Sequence, residues 1–211
     1  MSWSNKKVFF KKFVFEVHKN VYEPAEDSFL FAENLHVKKD EFVLDIGTGC
    51  GILAVVAADT AASVVAVDIN PYAIDCARDN ARLNRVTDKT SFIQCDLFFP
   101  MRITEEFDSI LFNAPYLPSE PSEGKSWLEH AWNGGITGRQ VINRFISTAP
   151  NYLKENGCIL LMQSTISNVD ETLQRFVKKG LKTSIVAELA MPFFEKIVLV
   201  KAEKQYRYQT E

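Results

Sequence analysis

The chain has 211 residues and a net charge of −3, and at 46% apolar and 24% charged it has the composition of an ordinary globular protein. One α/β domain with extensions fits this length and buries roughly 70% of its unfolded surface without disulfides or metals, which excludes collagen-like, disordered and mini-protein classes. The mild negative charge provides no field for sequence-independent attraction to a phosphate backbone, so protein or small-molecule partners rank ahead of nucleic acid.

Residues 1–22 read as a leader rich in Phe and Lys. Lys6, Lys7, Lys11 and Lys12 interrupt its phenylalanines, so it lacks the unbroken apolar core of a signal peptide. The most apolar stretch, residues 52–67, contains Asp59 and Ser63, so no membrane span is expected and the protein reads as intracellular. Cys50, Cys76, Cys95 and Cys158 are scattered without a C-x-x-C pair, which argues against a zinc site and for buried reduced thiols; no metal site is expected.

A helix is predicted from residue 23 to about 35, with Pro24 at its first helical position and Glu26 and Asp27 as first-turn carboxylates. Strand and helix then alternate. Strands are predicted over 41–46, 63–68, 91–95 and 107–112, and helices over 51–58 and 70–83. The second helix is capped by Asn70, with Ala73, Ile74, Ala77 and Ala81 as its apolar face. Residues 115–135 form a long irregular segment, a length that usually carries function inside a compact domain.

A helix with Val141, Ile142, Phe145, Ile146 and Ala149 at helical spacing follows. Residues 155–157 then turn into a strand over 158–162, and a last helix over 168–179 ends at Gly180. Strands over 183–189 and 196–202 can close as a hairpin, and the polar tail from 203 to 211 is expected to fray. Alternating βα units imply a mostly parallel sheet covered on both faces, with ligands outside the carboxyl ends of its strands. This pattern resembles the Rossmann-like α/β fold of class I methyltransferases, seven strands with the last antiparallel, here over residues 23–202.

Between the first strand and its helix, Gly47, Gly49 and Gly51 give a G-x-G-x-G spacing. A dinucleotide loop would want glycine at 52, which is Ile; the tighter spacing resembles an S-adenosylmethionine loop. Asp68 ends the second strand, where a carboxylate can accept from two ribose hydroxyls, and Asp96, ending the third, could take the adenine amine. Each also reads as a helix cap. Asp45 reads as capping the loop's own amides, a role compatible with cofactor binding.

Asn113, Ala114, Pro115 and Tyr116 follow the fourth strand. An amide or aromatic amine is a poor nucleophile because its lone pair is delocalised, so a methyl-transferring site must accept both N–H groups and aim the nitrogen. The Asn113 side-chain oxygen can supply one acceptor and the Ala114 carbonyl the second, with Pro115 holding Ala114 extended. Tyr116 offers a ring face for stacking on the planar group. Positioning carries the work and no tuned general base is required. An ordinary Asx-Pro turn is the competing reading.

With Glu23-Pro24-Ala25-Glu26-Asp27-Ser28, the glycine loop, Asp68-Ile69-Asn70-Pro71, Asn113-Ala114-Pro115-Tyr116 and Ala131-Trp132-Asn133-Gly134-Gly135 through Gly138-Arg139 on the page, the chain resembles the HemK family of glutamine methyltransferases, in its eukaryotic and archaeal branch. The resemblance implies methylation of the side-chain amide of the glutamine in the Gly-Gly-Gln loop of a class 1 translation termination factor, with S-adenosyl-L-methionine as cofactor, in the cytoplasm and, in a eukaryote, also the nucleus. By matching position it implies that Ser28, Asp45, Gly47, Asp68, Asp96 and Leu97 line the cofactor site, and that Asn113 serves substrate and reaction centre, with Tyr116 beside the substrate. The Gly134-Gly135 and Gly138-Arg139 segment reads equally as a substrate-backbone holder and as the turn into the next helix.

Two departures stand out. Ala114 replaces the family's usual first proline, and the glycine loop begins too early for the helical substrate-binding domain of bacterial members. The third strand is expected at a sheet edge. Phe92, Ile93, Leu97, Phe98 and Phe99 make that region apolar, and the family implies a small zinc-binding activator protein there; packing under the adjacent helix is the other reading. Two other functions remain open on sequence: methylation of the exocyclic amine of adenine in RNA or DNA, and a non-catalytic cofactor-binding subunit.

Overall fold

The computed structural model describes residues 6–99, 101–103, 106–120 and 126–205. The residues expected to be a leader form a hairpin, β1 (Lys6–Phe10) and β2 (Phe13–Val17), in a two-stranded sheet of its own. Period-two alternation is the cause: Val8, Phe10, Phe13, Phe15 and Val17 are all buried in the same apolar cluster, while the lysines between them face solvent. Lys6, Lys7 and Lys12 pair with Glu23, Glu16 and Asp59, so three cations of this lysine-rich segment are neutralised locally.

The hairpin docks on the rest of the molecule through two amides one helical turn apart. Asn80 accepts from the Glu16 N–H at 2.8 Å and donates to the Glu16 carbonyl at 3.0 Å and the Cys50 carbonyl at 2.8 Å. Asn84 accepts from the Val14 N–H at 3.0 Å and donates to its carbonyl at 2.7 Å. The free edge of β2 is thus paired by side-chain amides that present a donor and an acceptor side by side, as a neighbouring strand would.

The main sheet holds β3 (Phe42–Ile46), β4 (Ser63–Asp68), β5 (Thr90–Gln94), β6 (Phe107–Asn113), β7 (Leu153–Ser164), β8 (Leu181–Ala190) and β9 (Lys196–Lys204) in the order β5-β4-β3-β6-β7-β9-β8. All pairs are parallel except the two made by β9. The expected class I methyltransferase architecture is therefore the observed one. Side chains alternate cleanly between two cores. Val43, Val64, Ala66, Leu111 and Leu160 face α2 (Ile52–Ala58), α3 (Pro71–Leu83) and the hairpin. Leu44, Val67, Ile110, Phe112 and Leu161 face α5 (Gln140–Thr148) and α6 (Val169–Lys178).

Register positions the site. Ile46 is opposite both Val67 and Phe112, so Gly47, Asp68 and Asn113 emerge at one level from three adjacent strands. The order reverses between β3 and β6, and the crevice at such a switch point is where α/β sheets bind ligands.

Some expectations need correction. The first helix, α1 (Glu26–Glu33), starts later than residue 23; Ala25 is extended and Pro24 is buried ahead of the helix on the wall of the crevice. Residues 155–157 are not a turn before a strand, because β7 already begins at Leu153. Asn156, at φ 62°, lies where the register with β6 shifts, so the irregularity is absorbed inside the strand. The long segment carries a short helix, α4 (Trp127–His130), held by a reciprocal cap between Ser126 and Glu129. β5 is at the sheet edge, and the apolar residues of the strand and the turn after it divide: Phe98 is buried, whereas Ile93 and Phe99 are exposed. The tail beyond residue 205 lies outside the described residues.

Replacing Asn80 by Ala leaves the Glu16 N–H and the Cys50 carbonyl without their side-chain partner, while the Glu16 carbonyl keeps its contact from Cys76 Sγ at 3.1 Å, and is expected to cost on the order of 2 kcal/mol in urea unfolding. Lys12→Ala, which removes an exposed ion pair with Asp59 and a cation–π contact over Phe13, should change stability by about 1 kcal/mol or less.

Candidate active site

The glycine loop is held from below. Asp45 is fully buried at the end of β3; one oxygen accepts from the Thr48 hydroxyl at 2.6 Å and the other has no partner. Burial, reinforced by the nearby Asp68 charge and opposed by the Thr48 hydrogen bond, raises its pKa to about 7. Asp45 therefore supports the loop and does not face the cavity, although the sequence reading put it among the cofactor residues. Gly51 likewise stays behind the wall: at φ 86°, a Cβ there would be 2.9 Å from the Ala77 Cβ, so its role is close packing of the loop on α3.

Above the loop is a cavity of about 690 Å³. Gly47 and Gly49 line it, and a Cβ at Gly49 would meet nothing within 4 Å. Asp68 lines it one strand away. Its two oxygens accept from the Gly49 and Asn70 amides, each at 2.9 Å, and burial raises its pKa. The carboxylate thus ties the loop to the head of α3, where Asn70 caps the helix through Tyr72 N–H. Asp96 and Leu97 also border the cavity, Asp96 in a half-exposed 2.6 Å ion pair with Arg144 on α5. Ser28, Asn113, Ala114, Pro115 and Tyr116 form the opposite wall.

The residue that organises this wall is Asp27, which sequence reasoning read mainly as a first-turn helix carboxylate. It is 6% exposed and accepts from Asn113 Nδ2 at 3.1 Å, from the Tyr116 and Tyr22 hydroxyls at 3.4 Å each, and from the Ser28 amide and hydroxyl at 2.6 and 3.1 Å. Burial and the Asp27 charge push both tyrosine pKa values far up, so both hydroxyls stay protonated. A carboxylate can only accept, so the Asn113 NH₂ must face it; Ser28 Oγ takes a second contact at 3.3 Å. The Asn113 side-chain oxygen is then buried with no partner. Such a group costs about 1–3 kcal/mol, and here it marks a hydrogen-bond acceptor left available at the end of β6.

The segment after the long loop acts as a brace. At Gly138, φ 69°, a Cβ would be 2.2 Å from the Tyr116 carbonyl, so only glycine lets the two backbones touch. Arg139 is 4% exposed. Its guanidinium donates to the Ser167 and Asn168 carbonyls and to Thr172 Oγ1, and pairs with Glu171 at 3.1 Å. Of the two open readings of this segment, the turn into α5 describes these contacts, because neither Gly138 nor Arg139 borders the cavity. Cys50, Cys76 and Cys95 are buried and Cys158 is half-buried, all as free thiols.

A glycine loop, a carboxylate at the end of the next strand and an acceptor at the switch point of a seven-stranded sheet define a methyltransferase of the class I fold. A family model described as ribosomal protein L11 methyltransferase (PrmA) matches residues 27–114. A putative protein N5-glutamine methyltransferase of Methanocaldococcus jannaschii is 44% identical over 186 residues, covering 87% of this chain and 92% of the relative. The human methyltransferase HEMK2 is 34% identical over 172 residues, covering 77% and 80%. In structure, the E. cuniculi Mtq2-Trm112 complex, described as responsible for methylation of the eRF1 translation termination factor, superposes with a TM-score of 0.68 at 24% identity over 88% of this chain and 99% of that one. The chain belongs to the HemK family of protein-glutamine methyltransferases, as its motifs imply. Among the described residues no helix is long and apolar enough to cross a membrane.

Between pH 3.8 and about 7 the folded chain retains the Asp45 proton that the unfolded chain has released, so the contribution of Asp45 to stability falls as pH rises through this window. With melting temperatures measured from pH 4 to pH 8, Asp45→Asn should gain on the parent as pH rises; a difference that does not change with pH would contradict the burial of an ionisable carboxyl here.

Proposed function

We propose that this enzyme transfers a methyl group from S-adenosyl-L-methionine to the side-chain amide nitrogen of the glutamine in the Gly-Gly-Gln loop of a class 1 translation termination factor. The observation that carries the reading is the unpartnered Asn113 oxygen, fixed by the pairing of its NH₂ with Asp27. A primary amide nitrogen has two N–H groups to place. Asn113 accepts one, and the Ala114 carbonyl, held extended by Pro115, accepts the other. With both hydrogens engaged, the nitrogen is fixed in the plane of its own amide and one face is left towards the donor. Tyr116, anchored through its hydroxyl to Asp27, sets the wall against which the planar amide rests.

The cavity suits the cofactor. Open space at Gly49 allows close approach of an uncharged backbone, Asp68 retains lone pairs for ribose hydroxyls beyond the two amides it already serves, and Asp96 and Leu97 border the far end for the base. Bound there, S-adenosylmethionine supplies an electrophilic methyl on a sulfonium centre. No residue has to remove the amide proton beforehand: with its lone pair shared with the methyl carbon, the nitrogen would hold its proton weakly and release it to water.

A partner belongs to this reading. The edge strand β5 and the turn after it expose Ile93, Phe99 and Ile103, the last two at 79% and 64%, and a small zinc-binding activator protein covering this edge would remove them from water.

The test is co-expression with termination factor and activator, followed by mass spectrometry of the Gly-Gly-Gln peptide. Methyl-tritiated cofactor offered together with RNA and DNA separates the adenine-amine alternative, which the charge of −3 disfavours. Asn113→Ala should retain cofactor binding by calorimetry and lose on the order of 10²-fold in single-turnover rate. Asp27→Asn, which permits the Asn113 amide to turn over, should lower kcat by roughly 10-fold or more while the KM for S-adenosylmethionine holds. A normal rate for Asn113→Ala would reject the assignment.

A further inference from the structure

The final hairpin of the main sheet ends in a tip that packing does not explain. Phe193 and Phe194 are 98% and 104% exposed, so neither ring buries any area within the chain. Both also take left-handed backbone angles, φ 60° and 64°, a conformation that bulky side chains rarely adopt and that costs free energy at each position. Glycine or asparagine would serve a bare turn better. Two adjacent aromatic rings held in water on a strained backbone therefore need a reason outside the folding of this chain.

The tip is also fixed, and fixed to the active site. Its base closes through Met191 N–H to the Glu195 carbonyl at 2.8 Å, and Lys196 N–H donates to Thr165 Oγ1 at 3.0 Å. Ser164 Oγ donates to the Glu195 carboxylate. Ser164 ends β7, two residues beyond Met162, the register partner of Asn113, so the tip rises from the same carboxyl edge of the sheet as the acceptor. Glu195 lies close enough to Tyr116 for its charge to act on that hydroxyl, and Met191 packs on the apolar cluster that also receives Tyr116. Ile166, 46% exposed, sits on the turn beside Thr165. Ile136, 71% exposed, sits in the loop that Gly138 holds against Tyr116 and Ser167.

We infer that Phe193 and Phe194, flanked by Ile166 and Ile136, form an apolar docking rim for the folded protein that presents the acceptor glutamine, so that recognition extends beyond the loop entering the cavity. The inference rests on the protein-glutamine reading above. Its occupant is that substrate because the rim is continuous with the wall carrying Asn113 and Tyr116: a loop seated in the cavity brings the body of its own domain over this edge. Exposed aromatic side chains with few rotatable bonds are the residues that anchor such contacts.

The experiment compares the full-length termination factor with a short linear Gly-Gly-Gln peptide as substrates of the full chain, for the parent and for Phe193→Ser/Phe194→Ser. Phe194→Gly serves as a second variant because it suits φ 64° and should melt no lower than the parent. For both variants, kcat/KM with the folded factor should fall roughly 10-fold or more, calorimetric affinity for the factor should weaken in parallel, and peptide kinetics should stay within about two-fold. Unchanged affinity and kinetics with the folded factor would overturn the docking rim while leaving the glutamine reading intact. Failure of the parent, supplied with the activator, to methylate either substrate overturns the glutamine reading and the rim with it. A parent that sediments as a dimer, with variants that sediment as monomers, would assign the rings to contact between copies of this chain and equally overturn it.

Discussion

Asn113 can serve as a hydrogen-bond acceptor only if its amide points one way round, and shape alone does not fix that, because oxygen and NH₂ are nearly the same size. Asp27 fixes it chemically. A buried carboxylate has no proton to offer, so it takes the NH₂ and leaves the oxygen unpaired. The same carboxylate holds the Tyr116 and Tyr22 hydroxyls and the Ser28 amide, so one charge orders the whole wall around Asn113. An unpaired oxygen inside a protein is unfavourable until something donates to it, and that is the condition in which a binding group should wait.

The remainder of the molecule serves to keep that wall and the glycine loop at one height. Parallel pairing of β3 with β4 and β6 brings Gly47, Asp68 and Asn113 out together, and β7 carries the level onward to Ser164 and the tip beyond it. Two buried acids support the loop at some expense of stability. Asp45 pays in desolvation for holding Thr48, and Asp68 is drawn into low dielectric to clamp Gly49 and Asn70. On the far side, the buried guanidinium of Arg139 joins α5 to the head of α6 and keeps Gly138 pressed on the Tyr116 carbonyl. The amino-terminal hairpin belongs to this scaffold as well, since Asn80 connects β2 to the backbone of Cys50 in the loop itself.

How much of this could be read in advance depended on the range of the interaction. Periodicity of two and of 3.6 residues, the Asn70-Pro71 cap, and glycines at 47, 49 and 51 are local features, and they located the sheet, the helix after β4 and the loop closely. The hairpin was legible by the same rule, in the alternation of Val8, Phe10, Phe13, Phe15 and Val17, but its lysines gave it the look of a solvated leader. Asp27 was less accessible to reading. A carboxylate in the first turn of a helix already has a sufficient explanation in the helix dipole, and its true partners lie 86 and 89 positions away at Asn113 and Tyr116. Asp45 stayed open between two roles for a related cause: an acid beside a glycine loop is the same in sequence whether it faces the ligand or lies beneath the loop.

The sequence by itself determined the succession of elements, the residue types at the ends of strands and, through its motifs, the family, because these depend on neighbours along the chain and on spacing. Only the tertiary structure decided which acids face the cavity and which support it, which way the Asn113 amide is turned, and that the closing hairpin lifts two bare phenylalanines beside the same edge. Those outcomes are set by burial and by partners brought together from distant positions, and neither is specified until the strands have taken their order in the sheet.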